Sequence, residues 1–291
     1  MERYVFEAMG TTVDCLLEAD PGVESSAALW AVEAEFRRLE ALLSRFRPDS
    51  ELSALNRAGS LAAGPDLVRV AALALAARER TSGRFDPTVH EALVAAGYDR
   101  TFAEVTAEGG AAGPAPGRCG GWVTLDPEIG LIELEPGIRL DLGGIAKGDA
   151  VDRACELLAA AGPCLVNAGG DLAVRGRPSG EPWPVGVETA GGTITLGLER
   201  GAVATSGRDR RRWVRGGEEQ HHVIDPSTGL PAASDLLRVT VVAETAVEAE
   251  VLAKALFLAG EREAAAEAGA LGIPCVLVTG DGRTVMAGGL A

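Results

Sequence analysis

Basic charge, aromatic side chains and long apolar runs are all scarce in this sequence. The formal net charge is −15, which argues against nucleic acid and anionic membranes as main partners. Aromatic residues make up 4% of a chain that is 47% hydrophobic, so the core must be built from Ala, Val and Leu. No run approaches the roughly 18 apolar residues of a membrane-spanning helix. Membrane insertion is therefore not expected.

Cysteine is sparse as well. The five cysteines never form Cys-x-x-Cys, so we expect neither a zinc site nor a disulfide framework. Near the N-terminus, Glu2 and a strand-like pattern stand where an export signal would have a basic segment followed by an apolar one. No lipid-anchor cysteine is visible either, and we expect a cytoplasmic protein.

Glycine, in contrast, is abundant, and pairs of it mark the most informative stretch, which runs from Leu140 to Gly176. A strand-like segment at 138–142 leads into Gly143-Gly144, and apolar residues at helical spacing then predict an amphipathic helix. A short strand after Gly162-Pro163 ends in a second pair, Gly169-Gly170. The spacing of these glycines matches neither the G-x-G-x-x-G fingerprint nor a P-loop.

Two interpretations of the glycine pairs stay open at this point. Glycine lets a backbone approach a ligand closely, and N–H groups at the start of a helix attract phosphate. Lys147 and Asp149 in the first turn of the predicted helix, and Asp171 after the second pair, add charge where a polyphosphate or its counter-ion would lie. Alternatively, the glycines only make tight turns on either side of a packed helix.

The chain as a whole mixes helices and strands without strict alternation, which is typical of an α+β fold. No linker divides it, so we expect one domain over residues 1–291, either single or as two intertwined subdomains. A Gly/Ala/Pro-rich segment at 103–121 is predicted to be a surface loop. The predicted helices cover residues 24–46, 51–56, 65–80 and 245–259, one around His90 and one after 259. The predicted strands cover 3–18 with a break at Met9-Gly10, a meander of 122–126, 131–134 and 138–142, and then 185–188, 193–198, 202–205, 222–224 and 237–242.

Several side chains have both a structural and a functional interpretation. Phe46, at a helix-to-loop corner, is either a core residue or a flat surface for stacking. Five arginines between 208 and 215 form either a solvated hairpin or an anion contact. His90 fits a surface or hydrogen-bonded core residue better than a ligand. Glu250 and Lys254, one helical turn apart, suit a simple ion pair.

Seven short segments, taken in their order along the chain, resemble one family. They are Met9-Gly10-Thr11; Ser44 to Glu51 with Leu55-Asn56; Phe85 to Val89; Asp141 to Gly148; Asn167 to Asp171; Thr205-Ser206-Gly207; and His222 to Pro226 with Thr228-Gly229. Each segment alone is a weak signal, but the whole series in this order is specific. The chain resembles the FAD:protein FMN transferases, the ApbE-type flavin transferases, over nearly its whole length.

The resemblance implies a T-fold-like α+β enzyme that cleaves FAD and attaches the FMN half, through its phosphate, to a threonine of an acceptor protein. AMP is released, and magnesium usually assists. The resemblance also implies that His222 is the base, that Asp225 orients it or a metal-bound water, and that Phe46 stacks on the isoalloxazine ring. The implied FAD-binding residues are Met9, Phe46, Asn56, Asp86, Gly143, Gly144, Lys147, Gly169, Gly170, Asp171, Thr205, Ser206, Gly207 and Lys254.

The chain departs from the family pattern at its metal site and beside it. The family's late helix carries an aspartate and, four residues on, a threonine as metal ligands, together with a backbone carbonyl that corresponds to Ala146. Here those two side chains are Glu250 and Lys254. Either Lys254 replaces the magnesium ion as a direct phosphate contact, or it pairs with Glu250 beside an intact metal site. Asp149 also stands where the family has an aromatic residue.

Two further functions share the same implied site. An FAD pyrophosphatase would use water in place of the threonine and produce FMN and AMP. A flavin-binding protein without activity is the other alternative, and the altered metal site favours it.

A third departure from the family pattern, besides the metal site and Asp149, concerns location. Many relatives are exported lipoproteins, and this sequence carries no such signal.

Overall fold

The computed structural model describes residues 1–105 and 116–290, and the chain divides into two compact units. The first unit comprises Met1–Glu40, Ile145–Ser206 and the chain from Asp235 onward, and the second comprises Ala41–Gly144 and Gly207–Ser234. Each unit is therefore assembled from segments that are distant in sequence. The predicted loop at 103–121 lies partly outside the described residues.

The elements of this part of the chain confirm the predicted α+β class, with antiparallel pairing of neighbouring strands. The helices are α1 (Ser25–Leu43), α2 (Glu51–Ala58), α3 (Pro65–Arg80), α4 (His90–Ala95), α5 (Ala146–Ala159) and α6 (Ala246–Leu271). The strands are β1 (Glu2–Ala8), β2 (Thr11–Leu17), β3 (Ser60–Ala62), β4 (Val123–Asp126), β5 (Leu131–Leu134), β6 (Cys164–Ala168), β7 (Asp171–Arg175), β8 (Trp183–Thr189), β9 (Gly192–Leu198), β10 (Arg200–Gly207), β11 (Arg212–Arg215), β12 (Glu218–His221), β13 (Ile224–Asp225), β14 (Leu230–Pro231), β15 (Leu236–Ala243), β16 (Cys275–Thr279) and β17 (Thr284–Ala287).

An eight-stranded sheet in the order β1-β2-β6-β7-β10-β15-β16-β17 forms the centre of the first unit. The predicted break between the first two strands is confirmed as a tight turn, with φ of 52° at Met9 and 67° at Gly10. Two positive φ values in succession are the mark of the turn type whose twist suits a two-residue hairpin. The β8–β9 hairpin covers one face of the sheet, where Trp183 and Val185 pack against Leu165 and Val174.

Helices α5 and α6 meet at their N-termini, and the contact depends on a glycine. A Cβ atom built on Gly148 would lie 2.9 Å from the backbone of Ala246 and of Val247. Asp152 of α5 then caps α6, because its Oδ1 accepts from the Ala246 N–H at 2.7 Å and its Oδ2 from the Val247 N–H at 3.0 Å. The two helix starts are thus locked together by close backbone packing and a shared carboxylate.

Helix α6 is broken at Gly260, which has a φ of 77° and a ψ of 169°. The Asp235 carboxylate accepts a hydrogen bond from the Glu261 N–H at 2.9 Å and so caps the second half of the helix. The prediction of one helix that ends near residue 259, followed by another, is confirmed.

In the second unit, one predicted strand is wrong. Strands β4 and β5 pair as predicted, but their third partner is β3 and not the segment 138–142. The Leu140 N–H donates to the Asn56 side-chain oxygen at 2.8 Å, and the Leu140 carbonyl accepts from the Asn56 amide at 2.9 Å. The Asp141 N–H donates to the Pro87 carbonyl at 2.8 Å. A side chain and a loop therefore satisfy the backbone groups that a neighbouring strand would otherwise pair.

Two further boundaries differ from the prediction. Helix α1 ends at Leu43 and does not reach Phe46, because the Ser50 hydroxyl donates to the Ser44 carbonyl at 2.7 Å and closes a turn. The predicted strand at 222–224 is wrong at its start, since His222 lies in a bend between β12 and β13. Within the described ranges, no helix is both long and apolar enough to cross a membrane.

The close helix contact gives a stability prediction. Gly148→Ala should lower the free energy of unfolding by roughly 1–3 kcal/mol, because the new methyl group overlaps the α6 backbone. The matched control is Gly269→Ala, which is also a helical glycine but has no heavy atom within 4 Å of the added Cβ. That control should raise stability by roughly 0.5–1 kcal/mol. Denaturant unfolding measures both, and equal effects would contradict the contact.

Candidate functional site

In the first unit, the predicted glycine turns lie at one end of the eight-stranded sheet. The turn at Met9-Gly10 joins β1 to β2, and the turn at Gly169-Gly170 joins β6 to β7. Because β2 pairs with β6 and β7 pairs with β10, these turns and Thr205-Ser206 reach the same end of the sheet. The structure therefore brings together the predicted binding residues that belong to this unit's strands.

Four charged side chains, Lys147, Asp171, Glu250 and Lys254, form what we term the acid–lysine cluster. The Lys147 ammonium pairs with the Asp171 carboxylate and with Glu250 Oε1, the latter at 3.0 Å. Glu250 Oε2 accepts from the Gly148 N–H at 3.1 Å, so this carboxylate lies at the N-terminus of α5. Asp171 and Glu250 are each only 4% exposed, which makes these contacts necessary to offset the loss of hydration.

The two buried acids of the cluster differ in pKa. Burial raises the pKa of Asp171 to about 6, and the neighbouring Glu250 charge adds to the effect while Lys147 opposes it. Burial also disfavours the charged form of Glu250, but Lys147, Lys254 and the Gly148 N–H together bring its pKa below the ordinary value. Asp171 is thus the acid in this cluster that takes up a proton first.

The turns that contain the predicted phosphate donors already use some of their N–H groups. The Gly143 N–H donates to Asp141 Oδ1 at 2.8 Å, and the Gly170 N–H donates to Asn167 Oδ1 at 3.0 Å. These bonds hold each turn in shape before a ligand is present. At Gly169, with a φ of 66°, a Cβ would lie 2.3 Å from Thr11 Oγ1, so only glycine fits there.

In the second unit, Phe46 lies half-buried in an aromatic corner. Its ring centroid is 5.6 Å from that of Tyr98, and the Arg45 guanidinium lies over the Phe46 ring at 4.1 Å. Arg45 also forms a buried ion pair with Asp141 and donates to the Tyr98 carbonyl at 2.6 Å. Trp213 continues the cluster, with its centroid 5.5 Å from Tyr98. Phe46 therefore keeps one part packed and leaves another part accessible.

Two other predicted binding residues of the second unit are engaged in structural contacts. Asp86 is buried, and its Oδ1 accepts from the Thr88 N–H at 2.8 Å and the Thr88 hydroxyl at 2.7 Å. The second oxygen of Asp86 pairs with Arg78 at 3.4 Å. Asn56 holds the backbone of Leu140 on both sides. Asn56 therefore fixes the segment that leads to Gly143, and Asp86 fixes the turn at Thr88.

The two adjacent histidines have different surroundings. His221 is buried, with Nε2 at 3.1 Å from the Ala232 carbonyl and Nδ1 at 3.3 Å from the Val223 N–H. A carbonyl needs a donor and an N–H needs an acceptor, so His221 is neutral with its proton on Nε2. Burial lowers the pKa of His221, which agrees with that form. His222 lies half-exposed in the bend that follows.

Asp225, the predicted partner of His222, shapes a turn. Its Oδ1 accepts from the Ser227 N–H at 2.9 Å and from the Ser227 hydroxyl at 2.7 Å. Its carbonyl accepts from the Gly229 N–H at 2.8 Å. This arrangement closes the short loop between β13 and β14 and fixes the chain that follows His222.

Reasoning from the sequence missed three residues that organise the site. Arg45 and Asp141 were recognised only as parts of longer segments, and no role was predicted for Asp152. The available signals were an arginine beside the aromatic Phe46 and an acid one turn after Gly148 on the same helix. Neither signal specifies a partner, because each partner is distant in sequence.

The fold and its side chains together define a class: α+β proteins with antiparallel sheets, packed helices and glycine turns beside buried charges. The sequence model of one family, the ApbE family, matches residues 9–277 of this chain. The chain belongs to the ApbE family.

Individual relatives agree with this assignment. The chain is 32% identical over 274 residues to the FAD:protein FMN transferase of Treponema pallidum, with 84% of this chain and 75% of the relative covered. It is 29% identical to the FAD:protein FMN transferase of Haemophilus influenzae, with 95% and 86% covered. The crystal structure of the ApbE protein from Thermotoga maritima superposes with a TM-score of 0.86 at 27% identity, over 98% of this chain and 96% of that one.

The raised pKa of Asp171 predicts a pH dependence of stability. The folded-state value of about 6 exceeds the ordinary value of about 3.9, so the folded state binds this proton more tightly. Asp171 therefore contributes stability at low pH that is lost as the pH rises through 6. The free energy of unfolding of the wild type, minus that of Asp171→Asn, should fall by roughly 1–3 kcal/mol as the pH rises from the ordinary pKa to the folded-state value of about 6.

Denaturant unfolding in half-unit pH steps measures this difference. Asp281→Asn is the control, because hydrogen bonds from Thr279 and Arg283 lower the pKa of that exposed acid. The free energy of unfolding of the wild type, minus that of Asp281→Asn, should rise only weakly as the pH increases from the acid side. A flat or rising difference for Asp171→Asn would contradict the prediction.

Proposed function

We propose that this chain is an FAD:protein FMN transferase. The observation that carries the proposal is the family match over residues 9–277, together with relatives of that name along most of the chain. In the proposed reaction, a threonine hydroxyl of an acceptor protein attacks the phosphorus on the FMN side of the pyrophosphate. The new O–P bond joins FMN to the threonine, the P–O bond to AMP breaks, and the hydroxyl proton passes to a base.

Phosphoryl transfer of this kind depends on positioning, on neutralising developing charge and on a base near the attacking hydroxyl. For the first unit, we propose that the glycine turns and Lys147 receive the pyrophosphate. Lys147 already lies at the start of α5, where the N–H groups of a helix favour an anion. For the second unit, we propose Phe46 as the stacking surface for the isoalloxazine ring, since its ring is only half-buried.

We propose His222 as the base. Imidazole titrates near neutral pH and can accept the threonine proton. The hydrogen bonds of His221 support this choice, because both of its ring nitrogens are occupied by the backbone of Ala232 and Val223. His222 is the neighbour with partial exposure.

The magnesium ion that the family resemblance implies does not fit these residues. Both oxygens of Glu250 accept hydrogen bonds, one from Lys147 and one from the Gly148 N–H. The charge of Lys254 also acts on Glu250 and on Asp171. Magnesium needs oxygen ligands in near-octahedral geometry and would meet two ammonium groups here. In the described ranges, no group of three or more His, Cys, Asp or Glu side chains could hold a metal ion.

We therefore propose that lysine charge takes the place of the ion beside the pyrophosphate. Lys254 would contact phosphate directly as a point charge, and Glu250 would keep Lys147 in position. The alternative, in which Lys254 only balances Glu250 beside a magnesium site, gives the opposite dependence on chelators.

Intact-mass measurement tests the function itself. The chain is incubated with FAD and a candidate acceptor domain that contains the target threonine. A stoichiometric FMN adduct on the acceptor, with equal AMP, supports the transferase. Free FMN and AMP without an adduct would indicate a pyrophosphatase, and unchanged FAD that stays bound would indicate a flavin-binding protein. An acceptor with the threonine replaced by valine is the matched control.

His222→Ala is expected to lower the rate of FMN transfer by about 10²–10⁴-fold, because a general base is lost. FAD affinity should change little. His221→Ala should instead lower the melting temperature, since the Ala232 carbonyl and the Val223 N–H lose their partner. Single-turnover transfer and thermal unfolding are measured for both variants, and the reverse pattern would move the base to His221.

Wild-type FMN transfer is expected to persist in excess EDTA. The double variant Lys254→Thr with Glu250→Asp should become dependent on magnesium, because the threonine hydroxyl supplies an oxygen ligand in place of an ammonium group and the shorter carboxylate supplies a second. Calorimetric titration of magnesium into each FAD complex checks binding separately from activity. Loss of wild-type activity on chelation, with recovery on adding magnesium, would show that the lysines do not replace the ion.

A further inference from the structure

One guanidinium group in the second unit, that of Arg45, contacts two rings of the aromatic corner. Arg45 lies 4.1 Å from the centroid of Phe46 and 4.8 Å from that of Tyr98. It donates to the Tyr98 carbonyl and pairs with Asp141, whose Oδ1 in turn accepts from the Gly143 N–H. The corner and the glycine turn are therefore joined through a single side chain.

We propose that Arg45 is a positioning residue for the flavin, one that holds the Phe46 ring in the geometry that receives it. This inference rests on the proposed function, since it requires FAD to stack on Phe46. Arg45 itself would not touch FAD, because its side chain is only 5% exposed. It would act through the Phe46 ring that it contacts.

The chemistry of arginine explains why this residue type suits the position. A planar guanidinium can stack on aromatic faces while its N–H groups donate within its own plane. Lysine keeps the charge but is a compact donor, and it cannot stack on Phe46 while it bonds to both Asp141 and the Tyr98 carbonyl. The contact with the aromatic faces is attractive in itself, and more so when the cation is desolvated.

Burial makes the arrangement rigid. The Asp141 side chain is 10% exposed, so neither partner of the ion pair can be removed without leaving an uncompensated charge. The neighbouring His90 adds no competing cation: burial, and then the Arg45 charge, lower the pKa of its imidazole. Phe46 is thus backed by a cation that Asp141 and the Tyr98 carbonyl hold in place, and a fixed ring loses less freedom when it binds a flat ligand.

A merely structural role for Arg45 makes a different prediction from a positioning role. If Arg45 only stabilises the fold, its loss weakens FAD binding to the same degree whether or not Phe46 is present. If it acts through the Phe46 ring, the two substitutions are coupled, and the second has little left to change. A double-mutant cycle in FAD affinity separates the two roles.

The cycle uses Arg45→Lys, Phe46→Leu and the double variant, with Kd for FAD from flavin fluorescence and thermal unfolding recorded for each protein. Arg45→Lys should weaken FAD binding about 5- to 30-fold in the wild-type background and less than about 2-fold in the Phe46→Leu background. Arg47→Lys is the matched control, since Arg47 is 48% exposed and pairs only with the exposed Asp49 among its described contacts. It should leave Kd unchanged.

Asp141→Asn removes the charge of the other partner in the Arg45–Asp141 ion pair. The amide oxygen can still accept from the Gly143 N–H, and only the charge that holds Arg45 is lost. This variant should also weaken FAD binding, and again only when Phe46 is present, so the cycle can be completed even if Arg45→Lys does not fold. Equal losses in both backgrounds, or no loss with either variant, would overturn the proposal. Failure of the wild type to bind FAD would instead overturn the proposed function.

Discussion

The contact of the Lys147 ammonium group with two buried carboxylates is the interaction on which the first unit depends. Asp171 begins β7 and Glu250 lies on α6, while Lys147 itself lies in the first turn of α5. Removing any one of these charges from water is unfavourable unless the others are present. The start of one helix, the side of another and the edge of a hairpin turn must therefore meet at one point. Gly148 permits the approach, and Asp152 completes it by capping α6.

The same cluster is the basis of the proposal that lysine charge takes the place of a metal ion. Two acids and two lysines form a set that is balanced without a divalent ion, so the Glu250 and Lys254 substitutions form a consistent pair. In the proposed reaction, a phosphate group that approaches this cluster would meet positive charge that carboxylates already hold in place. Preorganised charge of this kind needs no rearrangement at the moment of reaction.

Local signals in the sequence predicted most of the fold, and contacts between distant segments account for what was missed. The turn at Met9-Gly10 and the break near residue 259 follow from glycine placement, which acts over a few residues. The segment 138–142 alternates like a strand, yet Asn56 satisfies its backbone instead, and no local pattern shows that a side chain will do so. The ion-pair partners of Arg45 and Lys147 were unpredictable in the same way, because an ion pair has no sequence signature when its partners are far apart.

The order of strands in the large sheet has a consequence for how the protein is made. Strand β2 pairs with β6, and Val13 lies opposite Ala168. This edge of β2 therefore stays uncovered until β6 has been synthesised. During synthesis, the first hairpin and α1 emerge long before that partner, and the larger segment of the second unit, Ala41–Gly144, is made in between. Non-local pairing of this kind slows folding and leaves a strand edge open meanwhile. The nascent chain is thus an open template for other strands until more than half of it has been synthesised.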